Sequence, residues 1–370
     1  MAGRQRRSWG AIRQLPSGRW QAKFTNAEVG RLLPAPDTFP TKKAANEWLA
    51  TKHADLIRGL DLDDRAGERP LRSWWAGFER SMTTLKPKTQ TAYEAAWRLR
   101  IEPTFGRLPV RRIRPSHVED WLATMGQAGN SASKIIEAHG VLKRVLDRPL
   151  RDRVIATNPA LLRKKSLPRR PTTDRPVLSP TDIERLARAM RRDDDRTLVR
   201  LLGYGGLRIG EALALRRRDL DPARSTLAIQ RSVEDVKGRL IVGETKAGVG
   251  RVITLPRALS AEIAARCELL PAEADALIFG NRKGGYRRYR NFMRDSWIPA
   301  VESLNIDVRP HDLRATCASL LIDAGASVKD VQNHLGHADP VTTMAIYARI
   351  RPGKSEDLAS RMDALIAEVK

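Results

Sequence analysis

The sequence predicts a multidomain α+β protein: a small three-stranded sheet with one helix, an all-α segment, and a mixed, mainly α domain with a small antiparallel sheet. Three observations lead there. The chain has 370 residues, beyond the roughly 250–300 at which one hydrophobic core stops growing. Its apolar pattern changes character along the chain, from period-2 runs to helical spacing and then to both. A stretch at 163–175 with six basic residues, one acidic residue and two prolines resists helix formation and reads as an extended linker.

The elements follow in order. In 1–62, Trp9-Gly10-Ala11-Ile12-Arg13 and Arg19-Trp20-Gln21-Ala22-Lys23-Phe24 flank Pro16-Ser17-Gly18, a hairpin pattern. A helix should start after Thr41, which can cap it, with Trp48, Leu49, Leu56 and Ile57 as its apolar stripe. Residues 67–162 read as a helical bundle, broken at Pro87, at Gly106-Arg107-Leu108-Pro109 and at Asn130. Ser116-His117-Val118-Glu119 has the form of a capping box. In 176–352, Ser179 should cap a helix with Pro180 at its first position. Residues 198–215 read as two helices split at Gly203-Tyr204-Gly205-Gly206. Strand-like runs follow at 226–230, 240–242 and 251–255. His311 should open one helix, Ser327 with Asp330 cap a second, and Asp339-Pro340 start a third that carries Tyr347. The tail, 353–370, places Leu358, Met362, Leu365, Ile366 and Val369 on one helical stripe.

Composition narrows the partners. The net charge is +24, the footprint of a protein that meets a polyanion. Of the 67 basic residues 51 are Arg; a GC-rich genome explains Arg over Lys, but not so large an uncompensated surplus. Nucleic acid is therefore expected, and no membrane. The first ten residues are basic and polar, and no run reaches the roughly 18–20 apolar residues of a membrane span. A cytoplasmic protein is the expectation. Two cysteines, Cys267 and Cys317, cannot build a disulfide framework or a Cys-rich zinc site and read as buried thiols. Arg19 and Lys23 in the first module, which carries 11 basic residues against 4 acidic ones in 1–60, are candidate DNA contacts. So are Arg169 and Arg170 in the linker, and Arg287 and Arg288 in Tyr286-Arg287-Arg288-Tyr289-Arg290.

Cleaving a phosphodiester requires cations for the non-bridging oxygens, a nucleophile, and a general acid for the departing hydroxyl. Arg suits the first role, since its planar fork grips two oxygens and stays charged. Four segments supply these types: Gly205-Gly206-Leu207-Arg208-Ile209-Gly210-Glu211, Thr245-Lys246-Ala247-Gly248, His311-Asp312-Leu313-Arg314, and Leu335-Gly336-His337 followed by Tyr347.

In these segments the chain resembles the tyrosine recombinase (phage integrase) family, most closely along 175–350, with the helical segment similar to that family's core-binding domain. The resemblance implies that Tyr347 attacks the scissile phosphate, leaving a 3′-phosphotyrosine and a free 5′-hydroxyl. It makes Arg208 and Arg314 the phosphate clamp, Lys246 the general acid, His311 a proton-transfer group and His337 a phosphate donor. Glu211 becomes a supporting carboxylate. Many members carry His two residues after the nucleophile; this chain has Arg349. Such exchange is nearly balanced in energy, so no cofactor, metal or ATP is expected. The resemblance further implies a temperate-phage type enzyme that is bivalent, its first module on arm-type sites and its other domains around core-type sites. A homo-tetramer on double-stranded DNA, a DNA-bending accessory protein and an excision factor would be its partners. The tail would either close on its own domain or dock on a neighbouring protomer. His334 and His337, with His311 and Asp312 upstream, could suggest a metal site, but His337 is claimed by the better match, so none is expected. The rival from another class is a DNA-binding regulator with an inert recombinase-like fold.

Overall fold

The computed structural model describes residues 9–26, 31–57, 63–163, 166–170, 176–245 and 250–336, with single positions at 344, 362, 366 and 367. The chain divides into two compact units, Met1–Thr172 and Thr173–Lys370, and the division falls inside the cationic stretch.

The first unit begins with β1 (Gly10–Gln14), β2 (Trp20–Asn26) and β3 (Arg31–Pro34), an antiparallel sheet in that order. Helix α1 (Lys42–Ile57) covers it, and Thr41 Oγ1 accepts from the Ala44 amide at 3.1 Å, the expected cap. Ala22 and Ala45 are fully buried, which lets helix and sheet approach closely. Trp48 closes the gap, edge-on to Phe24 at 5.9 Å.

The helical segment runs α2 (Asp64–Gly67), α3 (Leu71–Ser81), α4 (Pro87–Ala96), α5 (Glu102–Phe105), α6 (Pro115–Gln127) and α7 (Ala132–Arg151). A π turn, Trp97–Ile101, joins α4 to α5. It turns Trp97 onto Trp75, and the rings stack at 4.7 Å inside a core that includes Leu142 and Leu146 of α7. The capping box expected at Ser116 is absent. Pro115 is the first helical residue, so the helix starts two residues earlier, with Arg114 as its N-cap and no side-chain cap bond. Glu119 instead accepts from Ser166 Oγ at 3.1 Å.

The second unit opens with α8 (Pro180–Ala189), capped by Ser179 in a capping box with Asp182. Helix α9 (Asp193–Gly205) ends where Gly206 turns left-handed, and the short α10 (Ile209–Ala212) follows. The split is where the glycines put it, though α9 starts five residues earlier than 198, at three aspartates that suit a helix N-terminus. Strands β4 (Leu220–Asp221), β5 (Thr226–Ile229) and β8 (Arg251–Thr254) form one antiparallel sheet; β6 (Arg231–Val236) and β7 (Arg239–Glu244) form a hairpin. Strand β6 escaped the sequence reading because Ser232, Glu234 and Asp235 dilute its apolar alternation. Then come α11 (Arg257–Glu268), α12 (Tyr289–Phe292), α13 (Ile298–Ser303), α14 (Asp312–Asp323) and α15 (Val328–Leu335). His311 and Ser327 are the N-caps of the last two, Ser327 in a capping box with Asp330. No described helix is long and apolar enough to cross a membrane.

Candidate active site

The site grows from the turn after α9. Gly206 has φ +66°, and an added Cβ would lie 2.5 Å from Leu335 Cδ2 and 2.9 Å from Cys317 Sγ. Only glycine fits that conformation in that space. The reversal delivers Arg208 to the N-cap of α10 and Glu211 to its third position. Glu211 Oε2 accepts from the Arg208 amide at 3.0 Å, and Oε1 accepts from Arg208 Nη1 at 2.8 Å.

Arg314 arrives from α14, one turn after His311, and is 3 % exposed. Its Nη1 donates to Gly206 O at 2.6 Å and its Nη2 to Leu335 O. Two backbone carbonyls, from different parts of the unit, thus hold the guanidinium plane. Burial, then the like charge of Arg208, pushes Arg314 down to about 9, still protonated at neutral pH.

A third arginine completes the group, and the sequence reading passed over it. Arg251, first residue of β8, forks onto Glu211 with Nη1 at 3.2 Å and Nη2 at 2.8 Å. Its Nε donates to His334 O at 2.9 Å. The signal lay in the strand's alternation. Arg251 shares a face with the buried Ile253, while Val252 and Thr254 point out, and a cation on an inward face requires a partner. Burial alone would push the Glu211 carboxyl up; the bonds and charge of Arg251, with the bonds from Arg208, hold it below the usual carboxylate range. His334 packs here as well, its Nε2 3.1 Å from Gly205 O, and burial lowers its pKa.

The structure therefore brings Arg208, Glu211 and Arg314 together and places His311, exposed, at the start of the helix that carries Arg314. Lys246, His337, Tyr347 and Arg349, like the helix expected from Asp339-Pro340, lie outside the described residues, as does nearly all of the tail.

The candidate DNA contacts divide. Arg169 and Arg170 are exposed. Arg19 is exposed too, but its Nε donates to Thr38 Oγ1 at 2.7 Å, while Lys23 is half-buried in the sheet. The expectation for Arg287 is corrected. Its side chain is 7 % exposed and bonded to Asp195, which is fully buried and also accepts from Ser296 Oγ. A basic run in the sequence hid a buried ion pair. Arg288 spends its fork on Asp235, at 2.8 Å, and on Gly238 O, at 2.7 Å. Of the tyrosines named in the same run, Tyr286 accepts from Arg216 at 3.2 Å and Tyr289 is partly exposed. Tyr204 and Tyr93 pack against the cores of their units, and both cysteines are buried.

Three guanidiniums face one carboxylate in this cluster. The surplus positive charge is fixed in place before any ligand arrives, as stabilisation of an anionic transition state requires.

Three phage integrase models match the chain: the phage integrase family at 176–353, the phage integrase N-terminal domain at 8–58, and the phage integrase N-terminal SAM-like domain at 73–125. The integrase of Mycobacterium phage D29 is 28% identical over 383 residues, covering 99% of this chain and 99% of that protein. Among solved structures, the Tn1549 transposon integrase in complex with a circular intermediate DNA superposes with TM-score 0.70 at 18% identity, over 80% of this chain and 99% of that one. A lambda integrase tetramer bound to a Holliday junction superposes with TM-score 0.59 at 16% identity, over 95% and 99%.

Proposed function

We propose, from the premise that this chain belongs to the phage integrase family of tyrosine recombinases, that the Arg208–Glu211–Arg314 cluster grips the scissile phosphate of a recombination site. The protein is a site-specific recombinase that breaks and rejoins DNA. The observation that carries the assignment of the site is the convergence of two arginines, 106 residues apart in sequence, on one turn: Arg208 stands two residues after Gly206, whose carbonyl holds Arg314.

In the proposed reaction Arg208 and Arg314 neutralise the non-bridging oxygens. The Tyr347 phenolate attacks phosphorus; the Oη–P bond forms as the bond to the 5′-oxygen breaks. Lys246 gives its proton to that oxygen. His311 and His337 support proton transfer and phosphate binding. A free 5′-hydroxyl from the partner strand then reverses the step, so the bond energy stays in the phosphotyrosine and no ATP is consumed. Residues 1–62 would bind arm-type sites, and 67–162 and 176–352 would each bind the core-type site. Four protomers would exchange strands in pairs, with a DNA-bending protein and an excision factor as accessories, in a bacterial cytoplasm.

A core-site substrate nicked near the cleavage position tests this. The short fragment diffuses away after cleavage, so an active enzyme accumulates as a covalent adduct. Tyr347→Phe should abolish the adduct and leave core-site affinity within about twofold. Adduct in that variant would mean another residue attacks; none from wild type on its own core site would favour the DNA-binding regulator. Deleting residues 1–62 should remove arm-site binding while core-site cleavage survives.

A further inference from the structure

We propose that Arg251 is a positioning residue for strand cleavage, setting Arg208 through Glu211 and Arg314 through the end of α15; this rests on the reading of Arg208 and Arg314 given above. Arg251 touches two parts of the site. Its two terminal nitrogens meet both oxygens of Glu211, whose other bonds go to the Arg208 amide and side chain. Its Nε bonds to His334 O, the residue before Leu335, whose own carbonyl accepts from Arg314. One side chain on β8 therefore holds the carboxylate that orients the first arginine and the helix end that orients the second.

The packing is close. Gly336, at φ +64°, leaves room for the Arg251 side chain; a Cβ there would stand 2.9 Å from Arg251 Cδ. The Arg251 side chain is 10 % exposed and that of Glu211 fully buried, so water does not replace the lost bonds easily. Lysine is a poor substitute, because one ammonium cannot span both carboxylate oxygens and the His334 carbonyl together. Arg251 itself is assigned to positioning and not to the phosphate, because each of its three nitrogens already donates to a protein acceptor.

The test uses the full-length chain, a nicked core-site substrate, and two readings: the adduct-forming rate at saturating DNA, and the affinity for intact core-site DNA. Wild type and Tyr347→Phe report first on the reading beneath this one. If wild type forms no adduct, that reading fails and Arg251 is not at issue. Given an active wild type, Arg251→Ala should slow adduct formation roughly 100-fold, as a displaced clamp does, while affinity moves less than about threefold. Glu211→Gln should show a similar loss, and the double variant little more than either single one, because both changes cut the same link. Arg251→Lys, which keeps a cation beside Glu211 and guards against an alanine variant that does not fold, should recover part of the rate. A purely structural role predicts otherwise: affinity falling in step with the rate. That outcome, or losses in the double variant that multiply, would overturn the proposal.

Discussion

Arg314 donates from Nη1 to the carbonyl oxygen of Gly206 at 2.6 Å. The bond joins the arginine of α14 to the turn that presents Arg208, so neither arginine can move without the other feeling it. Leu335 O, on the other side of the guanidinium, ties the same group to the end of α15.

Gly206 is therefore a sensitive position. An alanine there must adopt φ +66° with its Cβ 2.5 Å from Leu335 Cδ2 and 2.9 Å from Cys317 Sγ. Left-handed strain costs about 1–2 kcal/mol, and pushing Leu335 aside moves the carbonyl that holds Arg314. We expect Gly206→Ala to lower stability by roughly 2–4 kcal/mol and to slow adduct formation beyond that loss. Thermal unfolding and single-turnover cleavage measure the two effects. An unchanged cleavage rate would show that the turn does not govern Arg314.

Much of this architecture was legible. Caps at Thr41, Ser179 and Ser327 sit where their side chains predicted, because a hydroxyl or carboxylate beside the first turn is local chemistry. The convergence of Arg208 and Arg314, the pair proposed to grip phosphate, was legible from Gly-Leu-Arg-Ile-Gly-Glu and His-Asp-Leu-Arg. What escaped depends on distant partners. Arg251 becomes meaningful only when Glu211, forty residues earlier in the chain, is seen across from it. Arg287 looked like a surface cation because its partner, Asp195, is ninety-two residues away in sequence and fully buried. Ser116 failed as a cap for a local reason overlooked in the reading: Pro115 is the better first helical residue.

The buried Arg287–Asp195 pair yields a second prediction. Removing one partner leaves an uncompensated charge in the core, which costs about 3–5 kcal/mol. Arg287→Ala should therefore lower the Tm of the second unit on the order of 10 °C. Replacing both with apolar residues should recover much of that loss, because the isolated charge is then gone. Calorimetry of wild type and the two variants decides; Arg287→Ala as stable as wild type would mean water already reaches the pair.

Acid should weaken the second unit through His334. Burial holds its pKa below the ordinary 6.5, so the unfolded chain takes up its proton first. Stability from the neutral imidazole is full above pH 6.5 and declines as pH falls through and below that value. His139, buried in the helical segment with its pKa also lowered first by burial, acts in the same direction there. Glu211 is depressed as a carboxylate, so its share is retained at neutral pH and lost only in stronger acid. His334→Asn should flatten the fall in midpoint between pH 7 and 5. If the slope of the second unit is unchanged in that variant, His334 is not the group responsible.

Salt separates the arginines that meet DNA from those that hold the fold. With +24 net charge, core-site affinity should fall steeply as salt rises, because each phosphate contact releases a counterion. On a plot of log affinity against log salt concentration, each contact contributes a slope of about −0.9. Arg169 and Arg170 are exposed, so Arg169→Ala and Arg170→Ala should each make the slope shallower by about one unit. Arg288→Ala should change it less, since Asp235 and Gly238 already occupy that guanidinium. Arg287→Ala, measured where the variant stays folded, should leave the slope as it was, because a buried cation facing Asp195 releases no counterion when DNA binds. Filter binding or fluorescence anisotropy across a salt series reads all four. A slope that drops for Arg287→Ala but not for Arg169→Ala would return the basic run at 286–290 to the DNA surface and remove the linker from it.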